Sequence, residues 1–401
     1  MERVFNSLAD LEDFRKQFDA PIKPSTERIA DGLMFSARSQ DLGGQCFTNV
    51  YSISSNAPPH LAFPRGLTTS RQLLQSDNGF RAATSGGFFF LSDDDLTPAC
   101  SSLNLAIDSN GQVLSLPIAD QRETLIVERD RIYTQKLGAS GILLVNGHEL
   151  TWSSSADNDT DITIFGNGNA AITHVKDNTT GNRRVVDTKS NFTPSEIPDG
   201  FIDIGLSSAT DAHMVETRRA KGNLEILSCN VVARLPEKFI KPNDNKVVIK
   251  EVGGVAVDRI QQAITVGPDI FTQDFASHPI NFDRSLGADK PPFIGRPIAQ
   301  NMIFQTEDGR IHTQIFDGRP GSEIFPGITP GEARDITLGK FVVVWGCFLD
   351  VGQTANLSTA NNNKVQTFGN RHYTKWNYPN HGQFTWSEDS AARPAANFLT
   401  F

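Results

Sequence analysis

Two spacings of apolar positions run along this chain. Near the start, Leu8, Leu11, Phe14 and Phe18 recur at helical intervals behind Ser7, whose hydroxyl can cap free backbone N–H groups, so a short amphipathic helix is predicted there. The prolines of "DAPIKPS" end it. From Asp31 onward the runs shorten to strand length. In "LNLAIDSNGQVLSLPI", "ILLVNGHELTW" and "MIFQTEDGRIHTQIF", apolar runs flank Asn110-Gly111, Asn146-Gly147 and Asp308-Gly309. Such pairs suit tight turns that need positive φ, and each stretch is predicted as a hairpin. Phe88 to Phe90, after Gly86-Gly87, predict a strand covered on both faces.

A second helix is predicted in "GITPGEARDITLG". Thr329 is its N-cap, Pro330 its first residue, Glu332 closes a capping box, and Gly339 is its stop. Then comes "FVVVWGCFLDVGQTANL", in which six of the first eight residues are large and apolar, as in a buried strand. Polar stretches at 153–161 and 359–365 are expected to be surface loops. No repeat of fixed period is present. The pattern as a whole predicts an α+β fold, strand-rich, with mostly antiparallel sheets and a few short helices. It divides into an N-terminal helix and lead-in (1–30) and one body (31–401).

Composition adds limits rather than direction. The 401 residues are 38% hydrophobic and 21% charged, as in ordinary globular proteins. The formal charge of −9 argues against binding nucleic acid through a general basic face. No apolar run approaches the ~18 residues of a membrane span and the first residues have no apolar leader core, so no membrane partner and a cytoplasmic location are expected. Cys46, Cys100, Cys229 and Cys347 lie far apart with no CxxC pair, so free thiols are expected. No histidine pair has zinc spacing. "DNDTD" lacks the glycine and distal glutamate of a calcium loop, so no metal or cofactor is expected.

Three segments could carry chemistry. Gly86-Gly87 allow a close backbone approach to a ligand, or form a strand-end bulge. Arg296, which precedes a proline, can clamp a phosphate or carboxylate with two parallel bonds, or form a surface ion pair; Asp317-Gly318 closes the next hairpin as a turn or as a site. Asp350 ends the apolar strand beside Gly352, Gln353 and Thr354. Partial desolvation there would raise its pKa toward acid–base work, the other reading being a turn cap.

Taken in order, "SGGFF", "VGPDIF", "GRPIAQ", "FDGRPG", "GITPGEA", "FLDVGQTA" and "ARPAANFLTF" resemble the motifs of the phosphodiester glycosidase family over residues 31 to 401. The chain departs from that family at Ser85, which stands for an asparagine, at Pro297 and Ile298, and at Val351 and Gln353, which stand for two glycines of its glycine-rich turn. The resemblance implies a phosphodiester-glycosidase-like fold and a hydrolase acting on a small anionic sugar, phosphate-linked or otherwise activated. Asp350 and Asp317 would be acid, base or nucleophile. Arg296 and Arg393 would hold the anion, with Ser85, Gly86, Gly87, Gly352, Gln353 and Thr354 around it. Two other roles fit the same pocket: a biosynthetic lyase, cyclase or isomerase, and a non-catalytic module that binds an anionic sugar.

Overall fold

The computed structural model describes residues 3–64, 66–76, 79–89, 104–117, 122–154, 161–166, 172–176, 183–188, 192–226, 228–275, 297–318, 326–362, 364–370, 375–376, 383–387 and 392–401. It is strand-rich, with mostly antiparallel sheets and few short helices, as the apolar pattern predicts. Where that pattern suggested one body over 31–401, contacts divide the chain into two compact units. The first comprises residues 1–87, 267–278 and 292–401; the second comprises 88–266 and 279–291. Sequence periodicity carries no record of which strands pair across a long excursion of the chain, so it could not mark this division.

The first unit stacks two sheets. One is the six-stranded array Ser25–Ala30, Leu33–Gly43, Cys46–Ser55, Ile311–Phe316, Gln300–Thr306 and Val343–Phe348, in that spatial order. The other is the five-stranded array Lys364–Phe368, Leu357–Asn361, Ala82–Ser85, Phe398–Thr400 and His60–Ala62. Alternation places Leu33, Phe35, Tyr51, Ile53 and Ile315 of the first in one core with Ala82 and Leu357 of the second. The helix Pro330–Leu338 has the predicted Thr329–Glu332 capping box. Its Thr337 hydroxyl donates to Gln314 Oε1 (3.0 Å), which ties the helix to the six-stranded sheet. The N-terminal helix Leu8–Arg15 is capped by Ser7, as predicted, and Phe14 and Phe18 pack on Trp386.

The second unit holds an eight-stranded sheet whose strand Ser140–Val145 pairs with both His148–Ser153 and Val247–Val252, so the sheet closes on itself and loses two exposed edges. It shares one apolar core, including Trp152, Ile164 and Ile204, with Ile107, Ile126 and Ala263 of a five-stranded sheet. Inside this unit Arg234 grips Asp203 with two parallel bonds (2.7 and 2.9 Å), and its remaining donors reach the Glu196 and Pro194 carbonyls.

Three local expectations are corrected. The strand at the Gly86-Gly87 segment is Ala82–Ser85, before the glycines; Phe88 and Phe89 are buried without continuing it, and Phe90 lies outside the described residues. The strand after the second helix is only half buried. Val342 and Val344 are 63% and 57% exposed because it forms the edge of its sheet, and only its second half is covered, by residues 267–270. The 359–365 stretch is a hairpin between Leu357–Asn361 and Lys364–Phe368, with Asn362 taking the positive φ that turns it. The 153–161 stretch lies largely outside the described residues. Cys46, Cys229 and Cys347 are free thiols; Cys100 lies outside the described residues. Among the described residues no helix is long and apolar enough to cross a membrane.

Candidate functional site

Four segments of the chain converge in the first unit. The Val343–Phe348 strand runs out at Leu349, whose N–H donates to the Asn301 carbonyl (2.8 Å), and the N–H of Asp350 donates to the Gly86 carbonyl (2.8 Å). Gly86 in turn donates to the Asn397 carbonyl (3.0 Å), just ahead of the closing strand. Backbone bonds therefore bring the segments around 86, 301, 350 and 397 to one place.

The Asp350 carboxylate turns onto its own loop. Oδ1 accepts from the Val351 N–H (3.0 Å) and Oδ2 from the Thr354 hydroxyl (2.8 Å). These are the bonds of a turn cap, made to Val351 and Thr354 rather than to Gly352 or Gln353. The carboxyl is nevertheless pushed up to about 6 by burial, which outweighs the two hydrogen bonds and the attraction of the Arg393 guanidinium. Gly352 has a φ of 74°, its N–H donates to the Ala299 carbonyl, and Gln353 occupies the single 3-10 turn Gly352–Thr354.

Ser85 is fully buried, and its hydroxyl donates to the Thr354 carbonyl (2.8 Å). It braces the turn from behind rather than facing a guest. Asp317 is buried and joins the network at one remove. Its Oδ1 accepts from the N–H groups of Gly318 (2.9 Å) and Asn370 (2.6 Å), while the Asn370 side chain donates to the Gly352 carbonyl (2.6 Å). Both candidate acids are thus tied to the same turn, with Asn370 as the link. Gly87 adjoins Gly86 in the chain. Arg296 lies outside the described residues, and Arg393 is near enough to Asp350 to favour its charged form.

Two asparagines complete the site and were missed by the sequence analysis. Asn301 is fully buried and its amide lies within bonding distance of the Ser85 carbonyl (3.0 Å), the Ser85 hydroxyl (3.1 Å) and the Thr84 hydroxyl (3.3 Å). The signal for it was present, since Gln300-Asn301 is a polar pair that leads directly into the apolar run Met302 to Phe304. Asn370 follows Gly369 at φ 37°, a backbone conformation that asparagine tolerates better than most residues, and "FGN" alone reads only as a turn. No group of three His, Cys, Asp or Glu side chains with metal-holding geometry occurs among the described residues.

No family model matches the chain, and no curated protein matches it. Solved structures do. A hypothetical protein from Synechocystis superposes with a TM-score of 0.53 at 14% identity, over 94% of this chain and 63% of that one. A protein described as "Putative exported protein" from Burkholderia pseudomallei superposes with a TM-score of 0.50 at 13% identity, over 88% of this chain and 74% of that one. This chain therefore spans less than two thirds of the length of the Synechocystis protein, and at these identities the likeness concerns the fold alone.

Proposed function

We propose that this protein is an enzyme that acts on a phosphate-linked or otherwise activated sugar, with Asp350 as its acid–base group. The observation that carries the reading is the Asp350 carboxyl itself. It stands at a strand end, is pushed up to about 6 by burial, and is still within the influence of Arg393. A carboxyl of that pKa can hold a proton for a leaving oxygen and give it up near neutrality. Arg393 supplies a fixed positive charge for an anionic group beside the bond to be broken. The order of motifs that resembles the phosphodiester glycosidases supports hydrolysis of a sugar phosphodiester as the reaction.

The test is turnover. The protein and Asp350→Asn are assayed across pH on a panel of sugar phosphodiesters. The expected result is product formation with a limb near pH 6 that the variant loses. Equal rates in the two proteins would remove Asp350 from the reaction. A second reading, a binding module without turnover, is favoured by the engagement of both Asp350 oxygens in the turn; it predicts saturable binding and no product from either protein.

A further inference from the structure

The first unit contains a cavity of about 720 Å³ between the 17–22 lead-in, the helix Ser70–Gln75 and the hairpin strand Lys364–Phe368. That volume falls within the range of small-molecule sites, roughly 300–1,000 Å³. Asp317 lines it, and Asp350 does not. We propose that this cavity binds a phosphorylated sugar of hexose size as a second subsite of the enzyme proposed above, separate from the Asp350 and Arg393 side chains; the inference of a sugar rests on that reading.

Three features carry it. The first is charge. Among the described lining residues, Arg71 and Lys364 stand against one carboxylate, Asp317, so the lining is net positive in a chain whose formal charge is −9. The Arg71 guanidinium is held in place by its bond to the Val365 carbonyl (2.8 Å), and a prepositioned guanidinium suits a phosphate dianion. The second is surface type. Tyr51 and Phe368, with ring centroids 5.6 Å apart, give an apolar wall of the kind a sugar's C–H face covers, while Gln17, Gln75 and Gln366 supply amides for hydroxyl groups.

The third is connection. Gly369 lines the cavity, and Asn370, the next residue, donates its N–H to Asp317 and its side chain to Gly352. A guest bound against Asp317 therefore presses on the residue that holds the Asp350 turn. A Cβ at Gly369 would come within 2.8 Å of Ile315 Cγ2, so this link has little room to relax.

The experiment is calorimetric titration of the full chain with glucose 1-phosphate, glucose and inorganic phosphate, repeated on Arg71→Gln and Lys364→Gln. Glucose 1-phosphate is expected to bind at least about ten times more tightly than either fragment, because charge and ring are recognised together. Either cation variant is expected to weaken it about tenfold or more. Lys364 is exposed, so Lys364→Gln tests the charge even if Arg71→Gln folds poorly. No binding of glucose 1-phosphate, or equal binding in Lys364→Gln and a folded Arg71→Gln, would overturn the inference. Charge-dependent binding in a protein that turns over no phosphodiester would leave the cavity assigned and the proposed reaction refuted, so the two failures are distinguishable.

Discussion

Replacing Asp350 by asparagine should make the protein more stable relative to the parent as pH rises. The carboxyl stands at 3.8 in an ordinary setting and is pushed up to about 6 in the fold. The folded state therefore holds this proton more tightly than the unfolded state does. Below about pH 3.8 both states are protonated and the group has no effect. Between about 3.8 and 6 the unfolded chain releases the proton first, and stability falls. Above about 6 the loss is complete, at up to ~3 kcal/mol from about 1.4 kcal/mol per pH unit. Between about pH 4.5 and about pH 7.5 the same relation gives ~2 kcal/mol. Asparagine carries no such dependence. Whatever hydrogen bonding it loses to Thr354 is a constant offset that cancels when the two pH values are compared. The assay is urea unfolding of both proteins at several pH values, with tryptophan emission as the probe. A gap between them that does not move with pH, or that moves in the parent's favour as pH rises, would refute the burial argument and with it the acid–base role drawn from it.

Two further outcomes follow from buried charge. His312, stacked on Phe304 and tilted against Phe341, is pushed down to about 4 by burial. Stability linked to it is full above about 6.5 and lost as pH falls toward about 4, and its ring C–H proton resonance should not titrate above about pH 5; a midpoint near the ordinary value would contradict the burial described. Arg234→Met leaves Asp203 buried without its partner and should cost ~3–5 kcal/mol in chemical denaturation, whereas Arg234→Met combined with Asp203→Leu should recover most of that. A single variant as stable as the parent would contradict this.

What the sequence made legible was local. Asn146-Gly147 both take positive φ in a two-residue hairpin turn, and Thr329, Pro330 and Glu332 cap their helix as their order requires, because each of these outcomes depends on neighbours within a few residues. What stayed hidden depends on distant pairing. Val344 is as apolar as Ile303, yet one lies on a sheet edge and the other at 0% exposure in the neighbouring strand, and no periodicity separates them. Asp350 was visible as a strand-end acid. Its connection to Asp317 was not, since it runs through Asn370, a residue that in the sequence marks only a turn.

The turn after Asp350 shows how far a departure from a motif can be read as a change of pocket. Val351 and Gln353 stand where the resembled glycine-rich turn has glycines, and a side chain added at a position that needs glycine would narrow or distort the site. Val351, however, is extended (φ −114°, ψ 175°) and Gln353 lies within a 3-10 turn, both conformations open to any side chain. Gly352 alone takes the left-handed φ of 74°. A Cβ there would meet only Ile298 Cδ1 at 3.8 Å, an ordinary contact, so the cost of Gly352→Ala is conformational rather than steric. It should come to ~1–2 kcal/mol, whereas Val351→Gly should change stability only by the added freedom of the unfolded chain, ~0.5–1 kcal/mol. The two variants are compared by chemical denaturation. If Val351→Gly proves the more damaging, then the side chain at 351 and not the backbone at 352 holds the turn, and the position of Asp350 has been attributed to the wrong residue.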